Sequence, residues 1–146
     1  MEYITLIRGF GILNRTFLSY ISKSLSDKEL SYSDSIFLVN IGTKEGTSQE
    51  EIANALAIDK AAVARSVKTM EKKGYIKTEA SSVDKRVKEL YLTDSGKELY
   101  RFMQDLNNHW ITSVIGDLDS EQINCFIKTI DHISHRAKKF NESQQF

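Results

Sequence analysis

The sequence contains no proline, one cysteine, one tryptophan and three histidines in 146 residues. Without proline, a helix can run its full length with its hydrogen-bond ladder intact, which suits a mainly helical chain. A single thiol, Cys125, excludes a disulfide within the chain and a thiolate metal cluster. The seven glycines are scattered and build no phosphate-cradling loop, and no serine or cysteine stands in a recognisable pairing with a histidine. The chain therefore reads as a non-enzyme with no cofactor. No apolar run is long enough to cross a membrane, and Glu2 and Tyr3 precede the first apolar residues, which is wrong for a secretory signal. A cytoplasmic protein with no membrane partner is expected.

An excess of charge is also missing, since 20 Lys and Arg balance 20 Asp and Glu. The balance hides a segregation. Between Asp59 and Leu90, 9 cations stand against 5 anions, whereas residues 1–58 carry 5 against 7 and residues 91–146 carry 6 against 8. A surface that meets a polyanion needs cations only where contact is made, so overall neutrality does not exclude one. With 40% hydrophobic residues and no internal repeat, a single domain over 1–146 with a modest core is expected.

What is present is concentrated between Ser48 and Leu92. Thr47-Ser48-Gln49-Glu50-Glu51 places a hydroxyl three residues ahead of a glutamate, the spacing at which the two exchange capping hydrogen bonds, so a helix begins near Ser48. Ile52, Ala53 and Leu56 recur on one face of it, and Ala53 is small enough to admit a second helix closely. Asp59 can cap that second helix. Its inward stripe is Val63, Val67 and Met70, and it runs out at Lys72-Lys73-Gly74, where cations and a glycine suit a helix C-terminus. Two helices joined by so short a turn cross steeply, as a helix-turn-helix does.

The outward face of the second helix carries Lys60, Ala61, Ala64, Arg65 and Lys68. The alanines would let the backbone sit deep in a groove, and an arginine offers the planar fork that pairs with guanine O6 and N7. A merely solvated helix face is the competing account of these charges. Beyond it, Tyr75–Glu79 and Val87–Leu92 alternate apolar and polar residues as short strands do, with a polar loop, Ala80–Arg86, between them. In Asp84-Lys85-Arg86 a carboxylate stands two residues from a guanidinium. Asp84 can brace the loop while Lys85 and Arg86 project, and a narrow minor groove draws in an arginine presented this way.

Ser48 to Leu99 resembles the winged helix-turn-helix of the MarR family of transcription regulators. The resemblance is carried by Ser48-Gln49-Glu50-Glu51-Ile52-Ala53, by Asp59-Lys60 with Val63, Arg65 and Val67, by Met70-Glu71-Lys72-Lys73-Gly74-Tyr75-Ile76, by the wing motif Asp84-Lys85-Arg86 and by Leu92-Thr93-Asp94-Ser95-Gly96. One departure is Ala57, at a turn position where such proteins often have glycine, which allows a slightly different turn without threatening the assignment. The implied fold is mainly α with a small β-hairpin wing: a winged helix-turn-helix lobe over 30–95, flanked by helical dimerisation regions over 1–27 and 96–142. The implied function is sequence-specific transcription regulation by a homodimer on a pseudo-palindromic double-stranded DNA operator, usually as a repressor released by a small-molecule effector or an oxidant. Ser48, Lys60, Ala61, Ala64, Arg65, Lys68, Asp84, Lys85 and Arg86 are the expected DNA-contacting residues. The alternative is a winged-helix protein-interaction module without DNA binding, which an apolar recognition face would mark.

The flanking segments bear on the expected dimer. Tyr3–Leu25 is a helix rich in large apolar residues, among them Ile4, Ile7, Phe10, Leu13, Phe17, Tyr20 and Ile21. Thr93 can cap a helix through about Ile115, and Asp119-Ser120 can start another through about Phe140 with the stripe Ile123, Phe126, Ile127, Ile130 and Ile133. A winged helix of about fifty residues cannot bury three such stripes alone, so they pack on one another or on a second copy. A dimer would set two recognition helices roughly 34 Å apart, one DNA turn. A monomeric bundle appended to the winged helix stays open as the other solution.

The family resemblance implies an effector cleft where the dimerisation helices meet the winged helix, with Phe10, Phe17, Phe37, Phe102 and Trp110 as candidate lining residues; aromatics at helical spacing are also ordinary core. Cys125, among Ile123, Phe126 and Ile127, is expected to behave as a small buried hydrophobe. Oxidant-sensing relatives use a cysteine near the N-terminus, and none stands there. His132 and His135, three apart, and His109 have no evident carboxylate partners for a metal site, so solvated or interfacial histidines are expected.

Overall fold

The computed structural model describes residues 2–144, beginning with helix α1 (Tyr3–Ser24). A 3-10 turn at Ser26–Lys28 leads to α2 (Tyr32–Thr43), after which come β1 (Thr47–Ser48), α3 (Gln49–Leu56), α4 (Lys60–Lys72), β2 (Ile76–Ala80), β3 (Lys88–Leu92), α5 (Asp94–Ile115) and α6 (Ser120–Ser143). The chain forms two compact units, residues up to 110 and residues from 111 onward, with the boundary inside α5.

The first unit is built on one core. Ile21 and Leu25 from the end of α1, Phe37, Leu38 and Ile41 of α2, Ile52 and Ala53 of α3, and Val63, Val67 and Met70 of α4 meet Ile76, Leu90 and Leu92 of the sheet and Leu99 and Met103 of α5. The end of α1 and the first half of α5 thus share a core with the helix-turn-helix. Helix α2 was not foreshadowed by any amphipathic stripe, because its apolar residues are distributed around the helix and it packs on several neighbours at once. Its start is local chemistry. Ser31 and Asp34 form a capping box in which Asp34 Oδ2 accepts from the Ser31 amide at 3.0 Å and the Ser31 hydroxyl at 2.8 Å.

Helices α3 and α4 begin where the sequence indicated. Ser48 accepts from the Glu51 amide at 3.2 Å while Glu51 accepts from the Ser48 amide at 2.8 Å, and Asp59 Oδ2 accepts from the amides of Ala61 and Ala62. Between them Ala57 lies in the left-handed region with φ 52° and ψ 46°, and the Ile58 amide donates to the Ala53 carbonyl at 3.0 Å. Ala57 thus holds the conformation that glycine adopts freely.

The sheet order is β1-β3-β2, all antiparallel. Both hairpin strands begin one residue later than expected, and β3 ends at Leu92 as expected while β2 runs one residue further, to Ala80; the two-residue β1, pairing Thr47 with Leu90 and Ser48 with Glu89, was not expected at all. Ile76, Leu90 and Leu92 point into the core, and Ile76 sits opposite Leu92. At the end of the wing the chain turns sharply into α5. The Thr93 amide donates to the Tyr75 carbonyl at 3.0 Å, its hydroxyl donates to the Gly74 carbonyl at 2.6 Å and accepts from the Gly96 amide at 3.1 Å. Gly96 is required by this approach, because a Cβ there would lie 1.9 Å from the Tyr75 carbonyl oxygen.

In the second unit, Asp119 and Gln122 form the capping box of α6, which extends past Phe140 to Ser143. No residue of α6 is buried in the protomer, and Phe126, Ile127 and Phe140 are exposed. Cys125 is exposed as well, correcting the expectation of a buried thiol: it falls on a different side of the helix from Ile123, Ile130 and Ile133, which are half-buried. The N-terminal half of α1 is similarly uncovered, with Tyr3, Ile4, Leu6, Ile7, Phe10 and Leu13 exposed.

Replacing Ala57 by glycine should relieve the left-handed strain and stabilise the protein by about 1 kcal/mol. An upward shift of the urea midpoint with unchanged slope is the expected result, measured at fixed protein concentration.

Candidate nucleic-acid interface

Helix α4 turns Val63, Ser66, Val67 and Met70 inward, which leaves Lys60, Ala61, Ala64, Arg65 and Lys68 exposed along the opposite face. The two alanines leave this face low between its cations. Arg65 and Lys68 take no part in any ion pair among the described residues. Lys60 is different: its ammonium lies 2.8 Å from Glu50 of α3, and both side chains are about two-thirds exposed. Ser48 is half-buried, its hydroxyl oxygen committed to the cap of α3.

The wing is held from within. The Ser81 amide donates to the Val87 carbonyl and the Val87 amide to the Asp84 carbonyl, both at 2.9 Å, while the Val83 amide donates to the Ser81 hydroxyl at 3.2 Å. Asp84 Oδ1 accepts from the Arg86 amide at 3.0 Å and from Arg86 Nε at 3.3 Å. Arg86 is thereby pinned at its base with its side chain 92% exposed, and Lys85 beside it is also exposed. This is the brace that the two-residue spacing of Asp84 and Arg86 suggested.

Two contacts that sequence spacing does not announce connect these parts. Glu71, near the end of α4, hydrogen-bonds Thr78 of β2 and joins the recognition helix to the wing. Glu50 reaches Lys60 across the turn, ten residues away. Neither pair follows a helical or strand period, so only the crossing of the elements brings them together.

The five aromatics considered for an effector cleft are not gathered in one place. Phe17 lines a cavity of about 100 Å³ together with Ile21, Tyr32, Val39, Met103 and Asn107, and packs against Trp110 with ring centroids 4.9 Å apart. Phe37 is 1% exposed in the core, Phe102 lies under the Lys28 ammonium, and Phe10 is exposed. Among the described residues, the Asn107 side-chain oxygen is the one buried side-chain polar atom without a hydrogen bond, and Asn107 lines the cavity. Burial raises the Tyr32 phenol above its ordinary pKa. Among the described residues no three His, Cys, Asp or Glu side chains are grouped to hold a metal, and no helix is long and apolar enough to cross a membrane.

The fold and this surface together define a winged helix-turn-helix protein with a cationic recognition face. The family model described as "MarR family" matches residues 29–87. The chain is 30% identical over 111 residues to the HTH-type transcriptional regulator BilQ of Clostridium symbiosum, covering 76% of this chain and 77% of that protein. It is 26% identical over 134 residues to the HTH-type transcriptional regulator YybA of Bacillus subtilis, covering 92% and 87%. The fold matches a MarR family regulator from Listeria monocytogenes, solved in complex with 26mer DNA, with a TM-score of 0.86 at 23% identity, covering 91% of this chain and 89% of that one. This protein belongs to the MarR family of transcription regulators.

The capping carboxylate of α3 gives the interface a pH limit. Hydrogen bonds from Lys44 and from the Ser48 amide hold Glu51 down at about 2, against an ordinary value of 4.5. A carboxylate so depressed contributes stability above its unfolded pKa and loses it as pH falls through the folded value. Unfolding midpoints should therefore decline between pH 4.5 and about 2, and Glu51→Gln should flatten that decline, with the Glu51 carboxyl resonance reporting the titration directly by NMR.

Proposed function

We propose that this regulator acts as a homodimer that binds a pseudo-palindromic operator, reading the major groove with α4 and the minor groove with the wing, as a repressor released by a small molecule. The observation that carries the DNA reading is the pair of cations, Arg65 and Lys68, without an ion-pair partner among the described residues, on a face kept low by Ala61 and Ala64, beside a wing arginine fixed by Asp84. Such a face suits a groove with base edges at its floor and phosphates at its rim. An apolar face, the mark of a protein-docking module, is what it is not. The Listeria relative's complex with 26mer DNA supports the same reading.

Arg65 and Lys68 take the central contacts, Ala61 and Ala64 face the groove floor, and Lys85 and Arg86 enter the minor groove with Asp84 as their brace. Ser48, at the start of α3, faces the backbone. The dimer is supported by exposure. Tyr3, Ile4 and Ile7 of α1 are each more than 60% exposed in the protomer, which a solitary soluble chain would leave as bare hydrocarbon. Pairing two copies through such faces gives each operator half-site its own recognition helix.

Arg65→Ala should lower affinity for a genomic fragment selected by the wild-type protein by about 1–3 kcal/mol and cost less on a mixed-sequence duplex. Arg86→Ala should weaken both more evenly. Fluorescence anisotropy on the two duplexes checks this; a wild-type protein that binds neither at low salt ends the proposal.

The cavity beside Phe17 and Asn107 is the proposed effector site. Its size is nearer to that of the ~150 Å³ cavity that takes benzene than to a drug pocket, so a single-ring molecule with a donor for the Asn107 oxygen fits best. Asn107→Leu should fill the space, raise the thermal midpoint and abolish release of the DNA by single-ring phenols. Release that persists in this variant would place the effector elsewhere.

A further inference from the structure

The pairing of Lys60 with Glu50 has a consequence for how strongly the protein holds any duplex. Lys60 is the first residue of α4, and Lys60, Ala64 and Lys68 follow one another at four-residue steps along the exposed face. The N-terminal end of a recognition helix is the part that meets the bases and the flanking phosphates. Glu50 stands at that end with its carboxylate 2.8 Å from the Lys60 ammonium, so a negative charge lies within the cationic face. Glu50 takes no part in the capping box of α3, which uses Ser48 and Glu51, and it is Glu51 that pairs with Lys44. Its hydrogen bond from Lys60 keeps the Glu50 carboxyl below the usual carboxylate range.

We propose that Glu50 is a positioning residue that withholds Lys60 from the DNA backbone and so limits the protein's sequence-independent affinity. The inference rests on the DNA-binding reading above. A protein's grip on arbitrary duplex comes from the phosphates its cations neutralise, and each one met releases counterions and steepens the salt dependence. An ammonium already shared with a carboxylate releases fewer, and the carboxylate itself repels the phosphates. Because a genome offers a vast excess of non-operator sites, weakening that background attraction leaves more protein free to reach its operator. Arg65 and Lys68 escape this restraint, since neither has a carboxylate partner among the described residues. The exposed face of α4 thus presents one neutralised cation, Lys60, followed by two available ones, Arg65 and Lys68.

The test is a salt titration of the full-length protein on a fluorescein-labelled mixed-sequence duplex of three helical turns, with Glu50→Gln, Lys60→Met and the double variant. Glu50→Gln should bind roughly five- to tenfold more tightly, with a log–log salt slope steeper by about 0.9 per protomer. Adding Lys60→Met to Glu50→Gln should return the slope to the wild-type value, because the gain belongs to the freed ammonium. Lys60→Met alone should bind more weakly than the double variant, since Glu50 is then uncompensated. An unchanged slope in Glu50→Gln together with a shallower one in Lys60→Met would overturn the proposal by showing that Lys60 leaves Glu50 for a phosphate. Weaker binding by Glu50→Gln would overturn it by making Glu50 itself a DNA contact. Wild-type protein that fails to bind at low salt would instead sink the DNA-binding reading, a result distinct from either. Thermal midpoints matching the wild type establish that the variants compare folded proteins.

Discussion

The presentation of α4 depends on how its C-terminal end is anchored. Gly74 and Tyr75, which follow the helix, offer carbonyls that accept from the hydroxyl and the amide of Thr93, and the same hydroxyl caps α5 through Gly96. One side chain therefore closes the turn after α4, ends β3 and starts α5. The missing side chain of Gly96 lets the helix approach within contact of Tyr75. Substituting Thr93 or Gly96 would shift elements that are far apart in sequence, because packed interiors accommodate displacement poorly. At the other end Asp59 satisfies the amides of Ala61 and Ala62, and the buried row of Val63, Val67 and Met70 fixes the rotation of the helix between these two anchors.

Electrostatics acts on this frame locally. A chain of zero formal charge carries its surplus cations between Asp59 and Leu90, and the tertiary structure then divides those cations by availability. Lys60 is held by Glu50, Lys73 meets Glu29 and Lys77 meets Glu79, while Arg65 and Lys68 are left without carboxylate partners among the described residues. Arg86 is an intermediate case. Asp84 takes its Nε and its amide, which orders the base of the side chain and leaves the rest of the guanidinium facing solvent. Exposed pairs of this kind add little to stability. Their importance lies in which charges remain for a polyanion.

The apolar surfaces divide in a similar way. The end of α1 enters the core through Ile21 and Leu25, whereas its first half and the Phe126–Ile127 region of α6 remain uncovered. Sequence reasoning saw both halves of α1 as one stripe because periodicity reports a face and not what covers it. The cavity between Phe17, Tyr32 and Asn107 lies where the covered part of α1 meets α2 and α5. Asn107, whose side-chain oxygen has no hydrogen bond among the described residues, lines it without belonging to any motif.

What the sequence by itself determined is the chemistry that acts over a few residues. The capping of α3 by Ser48 and Glu51, the start of α4 at Asp59 and the brace between Asp84 and Arg86 all join groups two or three positions apart, where backbone geometry alone brings them into reach. The inward row of α4 was equally legible, since a helix with one buried face writes its period into the chain. Helix α2 was not, being apolar around its circumference, and β1 was not, because two residues become a strand only when β3 arrives beside them. Ala57 shows the limit most simply: its identity left the turn open, and the left-handed conformation is seen only in the folded chain. The pairing of Glu50 with Lys60, the link from Glu71 to Thr78 and the exposure of Cys125 were likewise decided by tertiary structure. Distances across a helix crossing are set by packing, and no rule of local spacing encodes them.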